Sequence, residues 1–303
     1  MEVKVNSLKA WLLASRPKTL AAAVAPVMVG SSLAFHYGAF KWIPTLACLF
    51  FAMMMQIAAN LINDLYDFLK GSDGEDRKGP QRATAQGWIT PSAMQMGIVI
   101  VVALACLVGS TLIYYAGWQM ILVGLLCAAF AYSYTSGPYP LSYHGLGDLA
   151  VIVFFGLVAV GFTCYVQWLD WSFLVLLTGT MTGLVINTLL VLNNYRDRDT
   201  DWKSGKMTLV VIFGEAFGRY FYLLSGLVAA FCTFYMFIWH MPVFYEVPGT
   251  FMIIYGILHV RTWRKLCKIR HGEALNALIG ETSLNMLVFS IMLSINLCLL
   301  VWD

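Results

Sequence analysis

Charge is scarce in this chain: Asp, Glu, Lys and Arg make up 12% of its 303 residues, whereas 60% are hydrophobic. A soluble domain carries about twice that share of charge, so a surface bathed by water on all sides is excluded. Cysteine pairs are lacking too. Cys48, Cys106, Cys127, Cys164, Cys232, Cys267 and Cys298 are scattered without a Cys-x-x-Cys motif, and most fall in apolar runs. That excludes a disulfide framework and points to small packing residues. His240, His259 and His271 have no metal-ligand spacing among themselves or with cysteine, so nothing points to zinc or iron. The stretch before the first apolar run is polar or mixed and lacks a small-residue cleavage site, so no cleaved leader is expected.

What the chain has instead is long apolar runs. With a mean hydropathy of +0.73, it carries several stretches of about 18 residues or more that are long enough to cross a bilayer. Nine are expected, at about 19–36, 43–63, 93–115, 118–136, 148–167, 172–194, 217–239, 247–260 and 278–301. The chain is therefore read as an all-α, multi-pass membrane protein formed as one domain, 1–303. With nine spans, every Lys and Arg except Lys41 falls on the side of the N-terminus. The positive-inside rule puts that side in the cytoplasm of a cell whose inner membrane holds the protein. Topology accounts for the net charge of +3, which leaves no argument for nucleic acid.

The polar residues inside this apolar chain are concentrated at two helix ends. The second run closes in Asn60-Leu-Ile-Asn63-Asp64-Leu-Tyr-Asp67, followed by Lys70 and Gly71. At 100° per residue, Asn60, Asn63, Asp64 and Asp67 share a stripe roughly 100° wide. The sixth run closes in Asn193-Asn-Tyr-Arg196-Asp197-Arg-Asp199-Thr-Asp201, followed by Lys203 and Lys206. There Asn193, Asp197 and Asp201 are spaced i, i+4, i+8. Carboxylates on one stripe repel unless something positive lies between them. Asp and Asn oxygens are the hard donors Mg²⁺ takes, together with water and substrate phosphates. The plainer alternative is that these acids pair with the neighbouring lysines and arginines at headgroup level. Charge near a membrane edge is costly and usually functional, and duplication of the spacing favours a metal-bridged anion.

The loops on the same side add candidates. After Lys70 a charged connection runs through Asp73, Arg77, Lys78 and Arg82, suited to a lid. After the fourth run, Tyr132 to Asp148 is dense in Tyr, Gly and Pro; Tyr134 and Tyr139 are candidates for an aromatic ligand or for phosphate. Asp148 opens the fifth run, where an acid can cap a helix. Arg261–Arg270 reads as a cationic, headgroup-level stretch. A cation-coupled transporter built of two related halves remains open, since Asn63 to Asn193 and Asp67 to Asp197 have equal separations.

These motifs resemble those of the UbiA-type intramembrane prenyltransferases over nearly the whole chain. The family's Asn-Asp-x-x-Asp-x-x-x-Asp is matched by Asn63, Asp64 and Asp67, with Gly71 replacing the last acid. Its Asp-x-x-x-Asp is matched by Asp197 and Asp201. Arg16-Pro-Lys-Thr-Leu, Arg77-x-Gly-Pro-x-Arg82, Gly137-Pro-x-Pro-Leu-x-Tyr143-x-Gly145-Leu-Gly147 and Gly205-Lys206-x-Thr208 resemble the branch of the family that prenylates dihydroxynaphthoate for menaquinone. The resemblance implies nine helices around a central cavity whose mouth holds the acids. It implies Mg²⁺ on Asn63, Asp67, Asn193, Asp197 and Asp201, with Asn60 and Asp64 in support, and a polyprenyl diphosphate held by Lys70, Arg77, Arg82, Arg196 and Lys206. The implied reaction joins the prenyl group to 1,4-dihydroxy-2-naphthoate with loss of diphosphate and CO₂, giving demethylmenaquinone. Asp67, Asp197, Lys70 and Tyr134 are the catalytic candidates, the tyrosine through its ring face, and Tyr139 is an acceptor contact. Another acceptor, such as 4-hydroxybenzoate, is the alternative within the class.

Overall fold

The computed structural model describes residues 3–71, 78–240 and 247–299, the side chains of 238–240 and 247–251 excepted. Arg77 and Asp73 therefore lie outside the described residues. Helices make the fold: α1 (Leu8–Ser15), α2 (Ala21–His36), α3 (Trp42–Leu69), α4 (Pro91–Gly109), α5 (Leu112–Ala116) and α6 (Gln119–Ser133) form the first half. They are followed by α7 (Gly147–Val151), a π-helical turn (Ile152–Val158), α8 (Ala159–Trp168), α9 (Phe173–Lys203), α10 (Leu209–His240), α11 (Val247–Ile269) and α12 (Leu275–Leu299). No strand occurs among the described residues; one isolated bridge joins His144 and Met207.

Among the described residues, six helical stretches are long and apolar enough to span a bilayer: α3, α4–α5, α7–α8, α9, α10 and α12. The α1–α2 pair, bent by 49°, is a seventh if counted as one span. Two expected spans fall short of that standard. The fourth is α6, of 15 residues. The eighth is α11, which runs beyond its apolar half into Arg261, Arg264, Lys265 and Lys268.

Local chemistry sets these boundaries. Thr90 caps α4 through its hydroxyl, with Pro91 in the first helical position, where a missing N–H costs nothing. Ser172 caps α9 in the same way, accepting the Val175 N–H at 3.2 Å. Between α1 and α2, Arg16 takes a left-handed conformation just before Pro17 and breaks the helix. Helix α9 has 31 residues, about 46 Å at 1.5 Å per residue. A bilayer core is about 30 Å thick, so one end of α9 projects beyond it. The end that carries the acids, arginines and lysines is the one suited to water.

Close packing fixes α9 against the helix before it. A methyl group on Gly156, in the π-helical turn, would come within 2.5 Å of the Gly179 carbonyl oxygen. One on Gly183 would come within 2.6 Å of the Ile152 carbonyl oxygen. Small residues let membrane helices approach at backbone distance, where dispersion rather than the hydrophobic effect must hold them. The largest buried cluster draws on α2, α8, α9, α10 and α12, with Leu33, Val160, Ile186, Phe237 and Phe289 at its centre. Large apolar side chains stay exposed on the outside, among them Val99, Leu107, Leu125 and Phe231. That is the surface lipid requires.

The connections after α3, α6, α9 and α11 meet at one end of the bundle. Lys78 pairs with Asp199 at 3.1 Å. The Met207 N–H donates to the Tyr143 carbonyl at 3.1 Å. Asn276, in the first turn of α12, donates to the Lys78 carbonyl at 3.1 Å. These links hold the two acidic helix ends on the same side.

Candidate active site

Asp67 is buried in the last turn of α3, and Arg82 reaches it from the following loop, with Nη2 at 2.7 Å from Oδ2. The other oxygen, Asp67 Oδ1, is buried without a hydrogen-bond partner among the described residues. Arg82 is placed there by Asp64. The Asp64 carboxylate accepts the backbone N–H groups of Ala83 at 2.9 Å and Thr84 at 2.8 Å. Both oxygens are thus bonded to the loop, which Asp64 anchors. Asn60 also turns away from the acids. Its amide nitrogen donates to the Ser15 carbonyl at 3.0 Å and the Thr19 hydroxyl at 2.9 Å, closing the break between α1 and α2. Asn63, half-buried on the same stripe, makes no hydrogen bond among the described residues.

The second acidic end is paired in parallel fashion. Arg196 is buried and grips Asp197 with two donors, Nε to Oδ1 at 2.7 Å and Nη2 to Oδ2 at 2.6 Å. Its third nitrogen donates to Asn276 Oδ1 at 2.9 Å, so α12 fixes the arginine from outside the motif. Asp201 faces Lys206 at 3.7 Å, and the Lys206 N–H closes the turn onto the Asp201 carbonyl at 2.8 Å. Asn193 donates to the Leu189 carbonyl within α9 at 3.0 Å, leaving its side-chain oxygen available to a ligand.

Between the two ends lies the loop after α6. Lys70 donates to the Thr135 carbonyl at 2.6 Å, and its ammonium sits 4.4 Å from the Tyr143 ring centre. Partial burial holds this ammonium below the usual lysine range, against the opposing pull of Asp67; Lys206 lowers it further. Tyr134 lines a tight crevice, too narrow to admit a water molecule, with Ser142, Gly147, Asp148, Asn194 and Thr208. Burial pushes its phenol well up, and Asp148, Asp201 and Asp67 all add to the shift, so Tyr134 stays neutral. The crevice is far smaller than a small-molecule pocket. Tyr139 is exposed and stacks on His144 with ring centres 3.7 Å apart, which leaves it outside this cluster.

The structure therefore brings together Asp67, Lys70, Arg82, Tyr134, Asp201 and Lys206, and Asn276 ties the Arg196–Asp197 pair to the Lys78 carbonyl of the same loop. Asn276, Lys78 and the Thr135 carbonyl complete the lacework without having been expected. Asn276, in the first turn of α12, had no sequence signal. No group of three or more His, Cys, Asp or Glu converges on one point among the described residues. Mg²⁺ commonly takes one or two carboxylates and completes its shell with water and substrate phosphate. Asp67 Oδ1, buried and without a hydrogen-bond partner among the described residues, fits that demand.

The fold and these two acid-and-arginine helix ends on one side are those of a multi-pass helical membrane protein with a concentrated polar site. Residues 23–272 match the model of the UbiA prenyltransferase family. The chain belongs to that family and is a prenyltransferase. It is 33% identical over 309 residues to a 1,4-dihydroxy-2-naphthoate octaprenyltransferase of Escherichia coli, covering 99% of each chain. It is 34% identical over 285 residues to the Mycobacterium tuberculosis enzyme of the same name, covering 94% of this chain and 95% of that one. Among solved structures, a UbiA homologue from Archaeoglobus fulgidus bound to GPP and Mg²⁺ superposes with a TM-score of 0.67. It is 13% identical, and the match covers 94% of this chain and 99% of that one. The transporter alternative falls with the family assignment.

Proposed function

We propose that this chain transfers a polyprenyl group from polyprenyl diphosphate to 1,4-dihydroxy-2-naphthoate. The C–O bond to the diphosphate breaks, and a ring carbon bonds to the allylic carbon. The carboxylate leaves as CO₂, and the product is demethylmenaquinone in its reduced form. The observation that carries this reading is that Tyr134 lies within electrostatic reach of both Asp67 and Asp201, and Lys70 of both Asp67 and Lys206, so that the two acidic helix ends meet at one end of an apolar bundle. The naphthoate enzymes of two bacteria at 33% and 34% identity support the acceptor. The archaeal homologue solved with GPP and Mg²⁺ supports the donor and the cation.

Mg²⁺, held by Asn63, Asp67, Asn193, Asp197 and Asp201, would neutralise charge on the departing diphosphate. Lys70, Arg82, Arg196 and Lys206 bind its remaining oxygens. To do so, Arg82 and Arg196 share their carboxylates with the ligand, exchanging one anion for another. Asn276 keeps Arg196 aimed while it does. Tyr134, neutral and set among carboxylates, offers a ring face to the allylic cation without supplying a competing nucleophilic phenolate. The lipid-facing helices let the apolar chain remain in hydrocarbon while its head reacts at the edge. On this reading the bundle crosses an inner membrane nine times, with the acids and the N-terminus in the cytoplasm.

The test is to incubate the purified chain in lipid nanodiscs with polyprenyl diphosphate and either dihydroxynaphthoate or 4-hydroxybenzoate. Diphosphate release with CO₂ evolution from dihydroxynaphthoate supports the proposal. Release only with 4-hydroxybenzoate moves the enzyme to a different acceptor.

A further inference from the structure

Helix α11 carries one stripe whose chemistry changes halfway along. Ile253, Gly256, Ile257 and Val260 follow the i, i+3, i+4, i+7 pattern, and the same stripe continues through Arg261, Arg264, Lys265 and Lys268. The stripe lines a groove of about 790 Å³, walled on the α10 side by Leu227. Ile253 and Ile257 are 51% and 63% exposed. A methyl group on Gly256 would meet nothing within 4 Å, so the groove is open where the helix has no side chain. Lys265 is tied to Glu281 at 2.6 Å. Arg261, Arg264 and Lys268 are exposed and form no ion pair among the described residues.

An apolar trough that ends in three unneutralised cations is complementary to a molecule with an acyl chain at one end and a phosphate at the other. We propose that the α10–α11 groove is a binding site for an anionic phospholipid, separate from the candidate active site. The acyl chain lies along Ile253, Gly256 and Ile257, and the phosphate sits between Arg261, Arg264 and Lys268. A zwitterionic lipid fills the trough equally well but brings its own cation to the basic end. The charge therefore selects the headgroup and the gap at Gly256 accepts the chain. Each basic side chain near an anionic headgroup contributes about 1 kcal/mol, a factor of about five in affinity.

Native mass spectrometry of the full-length protein with phosphatidylglycerol and phosphatidylcholine tests this. The protein is expected to retain phosphatidylglycerol in preference. Arg261→Gln, Arg264→Gln and Lys268→Gln should each weaken that retention roughly fivefold without changing phosphatidylcholine binding. Gly256→Leu should weaken both lipids by filling the trough, while thermal unfolding stays unaltered because nothing is displaced. Equal retention of the two lipids, or full retention by the triple glutamine variant, overturns the proposal. Displacement of the bound lipid by stoichiometric polyprenyl diphosphate also overturns it, since the groove would then be a donor site.

Discussion

Arg82 Nη2 lies 2.7 Å from Asp67 Oδ2, and both side chains are more than nine-tenths buried. The pair joins the end of α3 to the loop that follows it. Removing one partner of such a pair leaves a buried charge uncompensated, which costs about 3–5 kcal/mol. Arg82→Ala should therefore lower thermal stability markedly as well as activity. Asp67→Asn keeps an acceptor for Arg82, so its stability loss should be smaller, while turnover falls by at least about 10². Unfolding temperature and kcat, measured on both variants, separate the two effects. A folded and fully active Asp67→Asn would remove this carboxylate from the chemistry.

Asp64 is expected to behave differently from Asp67, three residues away. Its two oxygens hold the Ala83 and Thr84 amides. Asp64→Ala strands both donors at a cost of about 1–3 kcal/mol each. Hydrogen exchange at Ala83 and Thr84 should speed up in this variant, and affinity for divalent cation should fall less than in Asp67→Asn. Unchanged exchange would mean that the loop is anchored by something else.

Lys70 gives a pH signature. Its folded-state pKa is lowered, mainly by burial, so the charged form is disfavoured relative to the unfolded chain. The penalty applies while the lysine is protonated in both states and is relieved as pH rises from the folded pKa through the unfolded one. Activity moves the other way: an ammonium needed for diphosphate is lost at a pH below the ordinary lysine range. The alkaline limb of kcat/KM should accordingly lie below about 10.4 and move upward in Lys70→Arg. A limb that does not respond to this substitution would assign it to another group.

Gly183 tests the packing that positions the second acidic end. In Gly183→Ala the new methyl meets Ile152 backbone atoms at 2.6 and 3.0 Å, which cannot move aside like a side chain. A stability loss of about 1–3 kcal/mol is expected, read by thermal unfolding in detergent. Wild-type stability would show that α9 is free to shift.

How much the residue pattern reveals depends on what kind of partner a side chain finds. Helical spacing puts Asn60, Asn63, Asp64 and Asp67 on one face, and α3 indeed runs through all four. Spacing cannot tell that Asn60 bonds to the chain 45 residues earlier, at Ser15. Nor can it tell that Asp64 turns to a backbone 19 residues later. Both partners are main-chain groups, which leave no trace in residue identity. The pairing of Asp197 with Arg196 was adjacent in sequence and legible as the simpler alternative to a metal. Asn276 was not legible, because its role depends on where α12 begins. Apolar run length located most of the helices but cut α9 and α11 short, since both continue as helices once their residues become charged.

The most direct measurement is diphosphate release by the purified chain in nanodiscs, with polyprenyl diphosphate, dihydroxynaphthoate and Mg²⁺, followed by product mass. The account predicts release that stops on chelation, stops in Asp67→Asn and Asp197→Asn, and yields acceptor plus prenyl group minus CO₂. No release by folded protein, or release that survives loss of both carboxylates, would contradict it.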